Sequence, residues 1–210
     1  VIEIDLAGDL SPLLATEYRP FFGESSEITA RVERRPDGAT RLENMRLASA
    51  ALNLEGDVTL DPEGRPVEID VSGRIVDPGN AGPVRLPVPG AETLVSSADL
   101  NLDFDAAESD AFSLTMRADG LRVDDLSAAS AGISATGRIV PAAGGVGAVT
   151  ADVSAELSGL DHADPALAEA LGPAIAFTTE ASWSEGDPIR LDALSLRSGD
   201  LFAEGGISAG

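Results

Sequence analysis

Alternation of apolar and polar residues limits this chain's fold more than any other feature. Over 52–60, Leu52, Leu54, Val58 and Leu60 share one parity, while Asn53, Glu55, Asp57 and Thr59 hold the other. "PVEIDVSGRIV" (66–76) repeats the pattern, setting Val67, Ile69, Val71 and Ile75 against Glu68, Asp70, Ser72 and Arg74. Later runs contribute Leu100, Leu102 and Phe104, then Phe112, Leu114 and Met116, then Ile133 and Ile139. Val149 and Val153, Ile175 and Phe177, and Leu201 and Ile207 complete the set. Successive side chains of a strand point to opposite faces, so each run has one apolar side and one wet side. That pattern belongs to antiparallel sheet; parallel strands, covered on both faces, read as continuous apolar runs. The apolar positions named here are the candidate lining of a binding surface.

Between the runs lie turn formers: "RPDGA" (35–39), "DPEG" (61–64), "DG" (119–120) and "EGDP" (185–188). The result is a meander of roughly a dozen strands. Two helical pieces interrupt it. "SPLLATEYRPFF" (11–22) offers Ser11 as N-cap with Pro12 in the first turn, and "DPALAEALGP" (164–173) repeats that logic with Asp164 and Pro165. Each precedes an alternating run, so the two read as equivalent insertions or end covers. The prolines and glycines of 76–92 mark a loop.

Charge excludes several partners. The chain carries 36 acidic residues against 14 basic ones, a net charge of -22, and every base is Arg. Nothing here neutralises a run of phosphates, so nucleic acid is not expected, and an anionic membrane surface is disfavoured for the same reason. With 43% hydrophobic residues the chain is nonetheless able to build a core. It has no Cys, and no apolar run reaches the roughly 20 residues of a spanning helix. The opening "VIEIDLAGDL" already alternates like a strand, so an excerpt of a longer chain, with its targeting segment upstream, is expected.

One segment recurs. "RLENMRLASAALNLEGDV" (41–58), "RVDDLSAASAGISATGRI" (122–139) and "RLDALSLRSGDLFAEGGI" (190–207) align without a gap. All keep the Arg (41, 122, 190), a Ser (49, 130, 198) and a Gly (56, 137, 205). Leu42 and Met45 have opposite parity, which places a β-bulge near Asn44. Glycine inside a strand marks a bend or a close backbone approach, so the motif glycines predict a bend at one level of each unit. Gly8 and Gly73 sit in closely similar strands, "EIDLAG" and "EIDVSG". One repetitive domain is expected over 1–210, with internal repeats near 27–76, 98–160 and 175–210. Aromatics are 4% of the chain, and Ala135, Ala155 and Ala203 occupy inward positions, a composition that fits unfilled space as well as ordinary packing.

The thrice-written Arg–acid–Ser–Gly segment and the long amphipathic meander resemble the TamB translocation-and-assembly module family of AsmA-like proteins. "GDLSPLLATEYRPFFGES" and "LPVPGAETLVSSADLNLDFDA" are also similar to stretches of proteobacterial members. The resemblance covers essentially the whole chain but rests on degenerate patterns. It implies an all-β, elongated, curled antiparallel meander, a repeating β-groove or β-taco, with an apolar interior and two short helical insertions. It also implies a Gram-negative periplasmic location and a parent chain anchored in the inner membrane. The partners would be phospholipid acyl chains and an outer-membrane Omp85-type (TamA-like) protein. The implied role is lipid transfer and outer-membrane assembly, including protein secretion, without catalytic residues.

Searches for chemistry find little. His162 is the only histidine, flanked by Asp161 and Asp164, and no Gly-x-Ser-x-Gly elbow accompanies it, so a surface or capping role is expected. Asp124–Asp125 and "DFDAAESD" (103–110) match no calcium-loop spacing. "AAGGVGA" (142–148) lacks the lysine and helix of a phosphate loop. No enzyme, cofactor or metal is expected. The alternatives to a lipid groove are a secreted or surface β-solenoid or adhesin-like structural protein, and a compact ligand-binding β-sandwich.

Overall fold

The computed structural model describes residues 1–9, 12, 15–77, 82–88, 90–106, 109–142, 145–199 and 201–209. Among these residues, fourteen strands form one sheet in which every paired neighbour is antiparallel. Its path runs β1 (Ile2–Gly8), β2 (Ser26–Arg34), β3 (Thr40–Ala48), β4 (Leu52–Leu60), β5 (Pro66–Val76), β8 (Ser97–Asp105) and β9 (Ala111–Val123). It continues through β10 (Leu126–Ala142), β11 (Gly145–His162), β12 (Ala174–Ser184), β13 (Ile189–Ser198) and β14 (Leu201–Ala209). The curled meander is therefore the fold, with β1 and β14 as open edges rather than the seam of a barrel. A β-solenoid would stack parallel rungs, which this sheet does not contain among the described residues.

The loop expected over 76–92 holds β6 (Val84–Arg85), which pairs with β7 (Thr93–Val95), and β7 in turn pairs with β9. Strand–turn–strand geometry is as expected at 35–39, 61–64 and 185–188, where Gly38, Gly64 and Gly186 take the positive φ that favours glycine. Asp119–Gly120 departs from expectation. It lies inside β9, not at a hairpin, with Gly120 at φ 62. Gly159 takes the same φ in β11, and the two face Ala129 from either side where the register of β10 skips it. Along this line the pairing of β10 with both of its neighbours is interrupted.

Helix α1 (Arg19–Phe22) follows a 3-10 turn at Thr16–Tyr18, a later start than the sequence pattern gave; Ser11, the expected N-cap, lies outside the described residues. Helix α2 (Pro165–Leu171) begins as expected, the Asp164 carboxylate accepting the Ala166 N–H at 2.9 Å. His162 caps as well, its Nδ1 accepting the Asp164 N–H at 2.9 Å.

The helices reveal the period of the fold. Each ends on a glycine with nearly the same dihedrals, Gly23 (φ 69, ψ -170) and Gly172 (φ 67, ψ -174). The Ser49 hydroxyl donates to the Phe21 carbonyl at 3.3 Å, and the Ser198 hydroxyl donates to the Leu171 carbonyl at 2.6 Å. Asn44 and Ala193, both with positive φ, sit at matching bulges in β3 and β13. From Gly23 to Gly172, Asn44 to Ala193, Ser49 to Ser198 and Gly56 to Gly205, the offset is always 149 residues.

The middle copy of the motif is not a third structural unit. There, Val123 and Leu126 pair across a two-residue turn at Asp124–Asp125, and Ser130 lies mid-strand with its hydroxyl 2.7 Å from that of Ser158. The bulged strand pair thus occurs twice, not three times.

Candidate functional site

Register decides which residues share a face, because directly opposed residues point the same way. One line of opposed residues crosses all twelve strands of the path from Leu6 through Ile28, Leu47, Leu54, Gly73 and Leu100. It continues through Met116, Ile133, Ala155, Phe177 and Leu196 to Ala203. A second runs from Ile2 through Val32, Leu42, Val58, Ile69 and Phe104. Phe112, Gly137, Ala151, Ala181, Leu191 and Ile207 complete it. Neither line contains a polar residue.

The remaining candidates fall on the same face. Val71, Leu102, Leu114 and Val153 lie between these lines, in a row that ends at Thr179. Leu52, Ile75, Ile175 and Leu201 form the row toward the helices, Ile139 opposes Val149, and Leu60 and Val67 stand at the β4–β5 turn. All the sequence-derived lining residues therefore share one wall. The opposite face is as consistent. Asp5, Thr29, Arg46, Glu55, Ser72 and Asn101 form a wholly polar line that Thr115, Ser134, Ser154, Thr178, Ser195 and Glu204 extend.

Not every candidate can meet a ligand. Phe104 is 0% exposed and Ile139 is buried, so both are internal to the wall. Phe21, Ala51 and Val84 form a small core at one end, with Phe22, Leu52, Ile75 and Leu86 packed on it, so Leu52 and Ile75 lie under the α1 cover. The Tyr18 hydroxyl donates to the Val88 carbonyl at 3.2 Å, and the Arg85 guanidinium lies 5.9 Å from the Tyr18 ring centre, fastening that cover to the 84–88 loop. The candidates in the middle of the sheet are half-buried by their own neighbours, with Met116 at 38% exposure, while Leu201 and Ile207 on β14 are exposed.

Among the described residues the wall has no second layer to close it. The chain exposes 12556 Å², whereas a compact protein of 21.4 kDa exposes about 9,100 Å². The surplus, roughly a third, is what an uncovered sheet produces. Discrete hollows also occur along the sheet. One of about 670 Å³ is lined by Asp103, Ser113, Thr136, Asp152, Glu180 and Asp192 together with Phe112, Gly137, Ala151 and Ala181 of the second apolar line. Another of about 510 Å³ lies along Arg46, Glu55, Ser72, Arg74, Asp99 and Arg117. No second layer encloses the apolar side among the described residues.

Motif Arg and Gly residues make structural contacts. The Arg41 guanidinium meets Glu43 at 3.2 Å, and Glu43 lies 3.9 Å from Arg31. At Gly56 an added Cβ would stand 2.1 Å from the Asp70 carbonyl oxygen, and at Gly137 1.9 Å from that of Thr150, so both glycines admit the next strand's backbone. At the Asp61–Arg65 turn, desolvation pushes the Asp61 carboxyl up. The Arg65 and Glu63 N–H groups and the Arg65 guanidinium together outweigh that and hold it below its usual range. Among the described residues no group of three or more His, Cys, Asp or Glu is placed to hold a metal ion, and no helix is long and apolar enough to cross a membrane. In comparisons with known proteins, no family model, no curated protein and no solved structure matches the chain.

Proposed function

We propose that the apolar wall carries phospholipid acyl chains in the periplasm, within a parent protein that links inner and outer membranes and works with an outer-membrane Omp85-type partner. The reading combines the resemblance to the TamB family with one carrying observation: two apolar lines run unbroken across twelve strands of a sheet that has no second layer among the described residues. Each acyl CH₂ laid against such a wall gains about 0.8 kcal/mol over water. A wall without a closed pocket would let a chain slide along it, where a fitted cavity would hold it. The acidic polar face keeps the sheet in solution.

The test is native mass spectrometry and lipid extraction of the chain purified from a bacterial periplasm. Co-purifying phospholipid should fall with Leu54→Asp and with Met116→Asp, the latter already partly exposed, and persist with Thr115→Asp on the polar face. A folded, lipid-free wild-type chain would sink the proposal and favour a structural, adhesin-like protein.

A further inference from the structure

We infer that a hollow bounded by Arg46, Arg74 and Arg117 on the polar face binds an acidic saccharide, one carboxylate or phosphate group set among hydroxyls. Register gathers the site from strands far apart in sequence. Arg46, Glu55, Ser72, Asn101 and Thr115 are successive members of the polar line across β3, β4, β5, β8 and β9. Two residues along the same strands, and so on the same face, Asn53, Arg74, Asp99 and Arg117 oppose one another. Both groups line the hollow of about 510 Å³, within the roughly 300–1,000 Å³ of small-ligand sites. The site does not depend on the apolar wall, which lies on the opposite face.

The charges around the hollow do not satisfy one another. Opposite charges that face each other across a strand pair ordinarily join, and the register sets Arg46 opposite Glu55 and Arg117 opposite Asp99. Among the described residues neither forms an ion pair, and Arg46 and Arg117 stand exposed with no carboxylate in reach. Arg74 meets Asp99 at 3.7 Å, with both side chains more than half exposed, a contact worth little and readily exchanged for a ligand. In a chain of net charge -22, three guanidiniums against the carboxylates of Glu55 and Asp99 make this hollow locally positive. The line beyond it is the reverse, since Asp57, Asp70 and Asp103 oppose one another with no Arg among them.

These groups define the ligand's chemistry. Guanidinium forks match carboxylate and phosphate oxygens. Glu55 and Asp99 only accept, so the ligand must bring donors as well. The amides of Asn53 and Asn101 and the hydroxyls of Ser72 and Thr115 both donate and accept, which complements hydroxyl groups. A bare anion would leave the carboxylates unanswered, and a neutral sugar would leave the guanidiniums so.

Titration of the isotope-labelled chain, read from its backbone amide and arginine Nε–H NMR signals, tests this at about 0.1 M salt, where a Debye length of about 10 Å screens the more distant acids. Glucuronate and a hexose phosphate should each shift the Arg46, Arg74 and Arg117 signals saturably. Acetate and inorganic phosphate should bind about fivefold more weakly or worse, and glucose should have no effect. Arg46→Gln and Arg117→Gln, both at exposed positions, should each weaken glucuronate binding about tenfold or more with unchanged thermal unfolding. Arg138→Gln, which lines the acidic hollow instead, should leave it unchanged. No saturable shift with either acidic sugar overturns the inference. So does inorganic phosphate that binds as tightly as the hexose phosphate, or glucuronate binding that survives both Gln substitutions.

Discussion

Gly56 and Gly205 occupy matching sites 149 residues apart, so alanine at each provides a matched experiment. At Gly56 the new methyl would lie 2.1 Å from the Asp70 carbonyl oxygen and 2.8 Å from the Val71 Cα. Neither obstacle is a flexible side chain, so β4 and β5 must part by about 1 Å, and overpacking of this kind costs about 1–3 kcal/mol. Both glycines have ordinary extended φ, so alanine also restricts the unfolded chain, worth about 0.4–1 kcal/mol in the stabilising direction. Gly56→Ala should therefore lose about 1–2 kcal/mol net, whereas Gly205→Ala, with empty space around it, should be neutral or gain up to about 1 kcal/mol. For a chain of this length 1 kcal/mol moves the unfolding midpoint by about 2–4 °C, so the two variants should separate by roughly 5 °C. Differential scanning calorimetry on dilute, low-salt samples reads this directly. Equal midpoints, or a Gly56→Ala chain as stable as the wild type, would refute the close-approach argument.

Three further outcomes are expected. Ala193 holds φ 50 at its bulge, a conformation costing a non-glycine residue about 1–2 kcal/mol, so Ala193→Gly should raise the urea midpoint and Ala193→Val should lower it. Ser198 is 2% exposed and its hydroxyl satisfies the Leu171 carbonyl, so Ser198→Ala should cost about 1–3 kcal/mol and speed amide exchange over α2. Ser130→Ala, the middle-copy counterpart, should leave exchange in both helices unchanged. Asp61 has its carboxyl held below the usual value, so its stabilising contribution is complete above about pH 3.8 and lost as pH falls through the lower folded-state value. Asp61→Asn should therefore be less stable than wild type at neutral pH and converge with it in strong acid, as followed by circular dichroism.

The faces of the sheet were legible because alternation is a local property: Leu54 and Ile69 announce their side from their immediate neighbours. The bulge at Asn44 was legible for the same reason, through the parity change between Leu42 and Met45. An identical parity change separates Met116 from Leu121, yet Asp119–Gly120 carried such strong hairpin chemistry that the strand continuing through it was missed. The true period was hidden for a different reason. An Arg, an acid, a Ser and a Gly at fixed spacing can be satisfied by many amphipathic strand pairs, and Arg122–Ile139 satisfies them with a turn where the others have a bulge. What separates Ser49 and Ser198 from Ser130 is a helix carbonyl distant in sequence, and no local pattern reports that. Burial by α1 and the 84–88 loop, which removes Leu52 and Ile75 from the open wall, is equally non-local.

The even count of strands between the two helices sets a rule for how such a sheet can change size. Eight strand steps separate β4 from β14, and at about 4.8 Å each they advance the wall by about 38 Å. Gain or loss of a single strand would reverse the chain's heading and send α2 to the rim opposite α1. Length can therefore be adjusted only in whole hairpins, a quantum of about 10 Å, if both helices are to guard the same rim. The sheet is a ruler graduated in strand pairs, and its helices mark which end is zero.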